Sequence, residues 1–219
     1  MSGYWVVLEG TDDVGKTTLC DALCESLLEG GFEALRTAEP GSTRDQTCSD
    51  IRSLLFSDAV HDKAEIFLFL ADRIQHEERV VLPALKDGHV VVQDRGALST
   101  FVYQVILDRG GRRRVTAEQE KNYKIMKRAW KGRRLPDLIV LCDADDDVLE
   151  PRRKEDADHF VSSRGKATIE VYRDLGTGSL RFPAGLVGRT RVNLRLNTYA
   201  ESDTAVEVII DRILGNRSL

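Results

Sequence analysis

Nine consecutive residues, Gly10-Thr11-Asp12-Asp13-Val14-Gly15-Lys16-Thr17-Thr18, restrict this chain more than any other stretch. They fit the pattern G-x-x-x-x-G-K-[ST], and their setting fits as well. Tyr4 to Leu8 is an aromatic and β-branched run that reads as a buried strand. Asp21 to Leu28 reads as a helix with Leu23, Leu27 and Leu28 on one side. A strand, a glycine-containing turn and a helix together are the context of a phosphate-binding loop. Gly10 and Gly15 let the backbone bend closely around a phosphate chain. The turn's N–H groups and the helix N-terminus then point at the anion. Lys16 brings a charge to the terminal phosphates, and the Thr17 hydroxyl is the expected Mg²⁺ ligand. All nine residues are therefore expected to hold a nucleoside triphosphate, with ATP as donor.

The chain has 219 residues, of a length for one α/β domain, so residues 1–219 are read as a single unit. Hydrophobic residues make up 42% and the net charge is -4, which argues against a general nucleic-acid binder. The basic clusters Arg112-Arg113-Arg114 and Lys127 to Arg134 read as solvated helix ends. Cys20, Cys24, Cys48 and Cys142 show neither C-x-x-C nor zinc spacing, which fits a reducing, cytoplasmic compartment. No basic segment followed by an apolar run precedes the first strand, and no apolar run approaches a membrane span.

Apolar runs alternate with helical patterns along the chain, the mark of βαβ units. Further strands are expected at 32–37, 89–93, 138–142 and 191–196. Helices are expected at about 45–56, 62–85 with a break near Pro83, 98–107, 116–130, 145–150 cut by Pro151, 167–175 and 204–214. On the long helix, Ala64, Phe67, Leu68, Ala71 and Ile74 form an apolar face suited either to burial on the sheet or to a partner subunit. The fold class is α/β, with five parallel strands between helices on both faces. In such sheets ligands bind beyond the C-terminal strand ends. Those ends hold the loop itself, Glu39 to Thr43, Asp94-Arg95, Asp143 and Asn197-Thr198. Asp94 can reach Mg²⁺ through water, and Arg95 can hold an acceptor phosphate.

With these pieces the chain resembles the thymidylate kinase family of nucleoside monophosphate kinases. The carrying segments are Val7 to Gly10 through Lys16-Thr17-Thr18, Glu39-Pro40-Gly41, Ile51 to Leu55, Ala64-Glu65 through Arg73, Pro83 to Gly88, Asp94 to Gln104, and Pro136 to Asp143. They cover about residues 5–143. The resemblance implies phosphoryl transfer from ATP to dTMP with Mg²⁺, a homodimer, and a short mobile lid at about 150–165. It implies a role for each matching position. Asp12 lies near the acceptor sugar, Phe69 stacks on the base, and Arg73 bonds a base carbonyl. Arg95 holds the acceptor phosphate. Glu39, Pro40, Ser99, Thr100, Tyr103 and Gln104 complete the acceptor site, with Tyr172 near the sugar. Lys16, Arg95 and the lid residues Arg152 and Arg153 neutralise the transferring group.

The sequence departs from the family pattern at several places. Ala38 stands where relatives carry an arginine, with Arg44 a possible replacement. Asp13 removes any loop arginine and leaves the charge to Arg152, Arg153, Lys154 or Arg164. Gly96 replaces a larger residue that crowds the acceptor sugar, which suggests a wider or modified deoxypyrimidine acceptor. Two other readings remain open: a kinase for another acceptor, such as a polynucleotide end or a small metabolite, and a non-catalytic nucleotide switch. No guanine-reading N-K-x-D motif occurs.

Overall fold

In a computed structural model, the described residues are 3–57, 59–108, 110–113, 116–155, 165–181, 185, 190–197 and 199–217. Five strands form one parallel sheet: β1 (Tyr4–Gly10), β2 (Ala34–Ala38), β3 (Val90–Asp94), β4 (Leu138–Asp143) and β5 (Thr190–Arg195), in the order β2-β3-β1-β4-β5. The central strand β1 pairs Val6 with both Val92 of β3 and Leu138 of β4. Strand side chains alternate between two apolar layers, as a sheet covered on both faces requires. Tyr4, Val6 and Leu8 pack with α1 (Lys16–Glu29) and with the last helix, α9 (Tyr199–Arg217). Trp5 and Val7 face the other layer, built from α3 (Asp62–His76), α4 (Leu82–Lys86), α5 (Ala97–Thr100), α6 (Ala117–Trp130) and α8 (Gly165–Thr177). The two remaining helices are α2 (Gln46–Leu55) and α7 (Asp146–Glu155). Each fully buried leucine, such as Leu8, Leu19 or Leu23, contributes about 2 kcal/mol of apolar burial.

Local chemistry sets the boundaries. Asp45 caps α2 by accepting from Cys48 N at 3.0 Å, and Thr116 with Gln119 forms a capping box at α6. The expected helix over 62–85 is interrupted one turn before Pro83, where Glu77–Val81 widens into a π-turn. A proline ring crowds the carbonyl four residues back, here Arg79, and the wider turn relieves that crowding. Likewise α5 passes into a π-turn over Phe101–Ile106 in place of a plain helix to Leu107. Pro151 does not cut α7, which runs on to Glu155; burial of Leu149 in the core offsets the lost hydrogen bond. The last helix is longer than its apolar spacing indicated and begins at Tyr199.

The face of α3 that packs inward is not Ala64, Phe67, Leu68, Ala71 and Ile74. Glu65, Ile66, Phe69, Leu70, Asp72, Arg73 and His76 are the buried set, while Phe67 is 53% exposed. The buried polar residues there take part in the side-chain network described below and share the inward face with Ile66, Phe69 and Leu70. Four of the basic residues pair with acids: Arg112 with Asp108, Arg113 with Asp174, Arg133 with Glu77 and Glu78, and Arg134 with Asp137. All four cysteines are free and buried. No described helix is long and apolar enough to cross a membrane.

Candidate active site

The C-terminal ends of β1, β2 and β3 converge on two adjoining cavities. The larger, about 620 Å³, lies over the loop between β1 and α1 and is lined by Asp12 to Thr18, Asp94, Arg95, Arg152, Leu196, Asn197 and Ser202. Gly10 closes β1 beside β4, and a Cβ there would meet the Cys142 carbonyl oxygen at 2.4 Å with φ at +150°. Thr11 is buried and marks the loop's inner wall. Asp13 adopts φ 63°, an uncommon left-handed conformation for a residue with a Cβ. Lys16 is 5% exposed and donates from Nζ to the Thr11 carbonyl at 2.5 Å. Burial, reinforced by the Arg95 charge, pulls its pKa down. Val14 is buried, whereas Thr17 and Thr18 face the opening.

Thr17 Oγ1 donates to Asp94 Oδ2 at 2.7 Å, and Asp94 Oδ1 is buried with no hydrogen-bond partner. A hydroxyl beside a carboxylate with an unused oxygen suits a hard cation that takes oxygen ligands. Among the described residues, no group of three or more His, Cys, Asp and Glu residues is arranged to hold a metal alone. A cation here would complete its shell with phosphate oxygens and water, as Mg²⁺ does. The residues present therefore fit Mg²⁺ together with a bound nucleotide.

The smaller cavity, about 80 Å³, is lined by Asp12, Pro40, Phe56, Phe69, Arg73, Arg95, Ser99, Tyr103 and Gln104. Asp12 and Arg95 line both cavities and form an ion pair with each other. Tyr103 donates to the second Asp12 oxygen at 2.8 Å. Burial by itself would raise the Asp12 pKa, but the charges of Arg95 and Lys16 hold it below the usual carboxylate value. The π-turn leaves Tyr103 and Gln104, adjacent in sequence, both facing the cavity. Gln104 is fixed by donating to Glu65 at 3.0 Å.

Glu39 and Thr100 are not in the cavity wall; they hold Arg73 from behind. Arg73 forms a buried ion pair with Glu39 and donates from Nε to Thr100 Oγ1 at 2.6 Å. His76 Nδ1 lies 2.6 Å from the other Glu39 oxygen, and its Nε2 lies 2.7 Å from Thr37 Oγ1. Burial would raise the Glu39 pKa, and Arg73 followed by His76 holds it down. Arg152 donates to the Asp13 carbonyl at 3.3 Å and so stands over the loop. The Arg153 side chain, Arg164 and Thr198 lie outside the described residues, as does the Lys154 side chain.

Besides Glu39 and Thr100, three further expectations change at the site. Gly96 does not widen the acceptor cavity, because a Cβ there would point into the sheet, 2.9 Å from Val7 Cγ1 and 3.4 Å from Glu9 Oε1. Arg44 donates to the Arg36 carbonyl at 2.9 Å and is not among the residues lining either cavity, so it does not replace the arginine missing at Ala38. Tyr172 does not line the cavity either; its hydroxyl lies 3.1 Å from Ser99 Oγ, behind the wall. Sequence reasoning missed Phe56, Glu9 and His76. Phe56 is an exposed aromatic at the end of α2, with the Arg52 guanidinium 4.6 Å over its ring. A cue was available for Phe56, since a helix that ends on an aromatic beside a strand-end loop is placed to wall a cleft. Nothing in the sequence marks Glu9 or His76 as interior.

A sequence profile of the family described as thymidylate kinase matches residues 8–175. The chain belongs to the thymidylate kinase family. It is 32% identical over 170 residues to the thymidylate kinase of Fervidobacterium nodosum, covering 78% of this chain and 81% of that one. It is 38% identical over 148 residues to that of Clavibacter sepedonicus, covering 66% and 65%. With the probable thymidylate kinase of Pyrococcus horikoshii it shares 41% identity over 110 residues, 48% of this chain and 53% of the relative. In several such matches the aligned part spans about half the relative's length. The crystal structure of a thymidylate kinase from Ehrlichia chaffeensis superposes with a TM-score of 0.65 at 20% identity, covering 97% of this chain and all of that one, which agrees in fold.

Proposed function

We propose that this protein transfers the terminal phosphoryl group of ATP to dTMP, giving ADP and dTDP. The observation that carries the reading is the meeting of two cavities at Asp12 and Arg95, one floored by the phosphate-binding loop and the other walled by Phe69, Arg73 and Gln104. A switch that only binds and hydrolyses a nucleotide has no need of the second cavity. Phosphoryl transfer asks the protein for alignment and charge and for little covalent chemistry. The loop N–H groups and Lys16 hold the donor phosphates. On binding, Lys16 exchanges the Thr11 carbonyl for a phosphate oxygen. Phe69 stacks on the base, Arg73 and Gln104 read its edge, and Asp12 with Tyr103 faces the sugar. Pro40, Ser99 and Thr100 complete or support this wall. Arg95 stands between the two phosphates, and Arg152 adds charge from above. Mg²⁺ held by Thr17 and Asp94 supplies further neutralisation of the phosphate oxygens.

In this reading residues 1–219 act as one kinase domain in the cytoplasm, with a water-excluding lid expected at about 150–165, of which 156–164 lie outside the described residues. The subunits pair through the outer face of α3, where Ala64, Phe67 and Ala71 are exposed, with Leu54 exposed on the adjoining α2. Phe67→Asp should convert a dimer to monomers in sedimentation, and an unchanged dimer would place the interface elsewhere. The activity is tested by coupled ADP release with ATP, Mg²⁺ and each nucleoside monophosphate in turn. Greatest turnover with dTMP is expected, with dUMP weaker for want of the 5-methyl group against Phe69, and UMP weaker still because Gly96 gives no added room at the sugar. ATP binding without turnover of any monophosphate would overturn the proposal.

A further inference from the structure

Arg95 sits in an unusual backbone conformation, and the residue that holds it there is not in either cavity wall. Its φ is 65°, left-handed for a residue with a Cβ, which costs on the order of 1–2 kcal/mol and persists only when neighbouring groups enforce it. Three hydrogen bonds grip the peptides on either side. Arg95 N donates to the Leu8 carbonyl at 2.8 Å, and Gln93 Nε2 donates to the Arg95 carbonyl at 2.8 Å. Gly96 N donates to Glu9 Oε1 at 2.8 Å. The same Glu9 oxygen accepts from Ser99 N at 3.1 Å.

Glu9 also reaches the Arg95 side chain, through one hydroxyl. Ser99 Oγ donates to Glu9 Oε2 at 2.6 Å, and Arg95 Nη1 donates to Ser99 Oγ at 3.1 Å. A serine hydroxyl has one proton and two lone pairs. Spending the proton on the carboxylate leaves the lone pairs turned toward the guanidinium. Tyr172 OH donates to Glu9 Oε2 at 3.1 Å and completes a fully buried, four-donor cradle around Glu9. None of these four donors is a charged side chain, so Glu9 is not held as half of an ion pair.

We propose that Glu9 is the positioning residue for Arg95: it clamps the left-handed turn through Gly96 and sets the direction of the Ser99 hydroxyl that orients the guanidinium. This rests on the reading of Arg95 as the group that holds the acceptor phosphate. Glu9 touches no reacting atom, so its effect should run through Arg95 to the phosphates and spare the acceptor's base and sugar.

Glu9→Gln tests this with little change of volume. The amide oxygen still accepts from Gly96 and Ser99 N–H, but the amide NH₂ faces Ser99 Oγ and reverses that hydrogen bond. Calorimetric binding of dTMP should weaken about ten- to a hundredfold, the range of one hydrogen bond to a charged group. Binding of thymidine, which has no phosphate, should be unchanged. Equal losses for dTMP and thymidine, or no loss for either, would overturn the proposal. Should the variant fail to fold, Glu9→Asp carries the test, since it keeps the charge and draws the carboxylate back from Gly96 N and Ser99 Oγ; a dTMP-specific loss is again required. Arg95→Lys separates the two readings. If it leaves dTMP binding intact, the role given to Arg95 fails. If it weakens dTMP while Glu9→Gln and Glu9→Asp do not, only the role given to Glu9 fails.

Discussion

The donor and acceptor cavities adjoin, but they are built from different materials. The donor side centres on one run, Asp12 to Thr18, whose binding groups are mostly main-chain N–H, with a lysine and two hydroxyls added, while Asp94, Arg95, Arg152, Leu196, Asn197 and Ser202 complete its wall. The acceptor side draws on the β1 loop, the β2 loop, α2, α3, α5 and the following π-turn, and its shape depends on side chains. Behind it runs a chain of buried polar groups: Thr37, His76, Glu39, Arg73 and Thr100. Main-chain groups in a glycine-shaped turn are oriented by covalent geometry, so the donor side needs few long-range contacts. Buried charges must be paired to be tolerated, so the acceptor side ties recognition to stability. Substitutions should therefore separate activity from stability on the donor side and lower both on the acceptor side.

The largest expected effect on stability tests the acceptor half. Glu39→Ala leaves Arg73, only 2% exposed, without its counter-charge. Removing one partner of a buried pair costs about 3–5 kcal/mol, or about 10 °C in Tm for a chain of this size. Thermal denaturation should show that drop together with loss of dTMP binding. A Tm within about 2 °C of the parent would break the comparison.

The donor half is tested by Lys16→Ala. Losing one charge from a phosphate site lowers kcat by about 10²–10³-fold. Lys16 makes its hydrogen bond to a loop carbonyl and is already disfavoured as a cation by burial, so Tm should fall by no more than about 3 °C. A large fall in Tm would mean that the donor loop is also held together by its charges.

A smaller, pH-dependent effect sharpens the contrast. Asp72, beside the acceptor chain, accepts from Gly41 N at 3.0 Å, but its second oxygen is buried without a partner. Burial, and then the Glu39 charge, push its pKa up to about 6 from 3.8. The folded state then binds more protons than the unfolded state between about pH 4 and pH 6, so stability falls as pH rises through that window, by about 3 kcal/mol for this shift. Asp72→Asn should remove this part of the fall, so that the variant gains on the parent from pH 4 to pH 7 in urea denaturation. A constant difference across that range would show that Asp72 does not titrate there.

The sequence made the donor side legible because its parts are local. A strand, nine loop residues and a helix are contiguous, and each residue's role follows from its type and its place in the turn. Strand order of residue types likewise exposed the parallel sheet, and the position of Asp94-Arg95 after an apolar run marked the far end of the site. Phe69 and Arg73 were legible only through family resemblance, since an aromatic on a helix usually packs in the core. For the outer face of α3, periodicity alone does not decide between burial on the sheet and a partner subunit, because the inward face mixes Ile66, Phe69 and Leu70 with buried polar residues while Ala64, Phe67 and Ala71 stay exposed.

By itself, then, the chain determined the phosphate-binding loop, the α/β class and the residues at the strand ends, all of which depend on neighbours in sequence. Only the tertiary structure decided that Gly96 points into the sheet, that Glu39 and Thr100 stand behind Arg73, and that Glu9 grips the turn at Arg95. Those facts depend on which groups meet across 27 to 90 residues of chain. Burial turns such meetings into requirements, because a polar group removed from water must find its partner wherever the fold brings one.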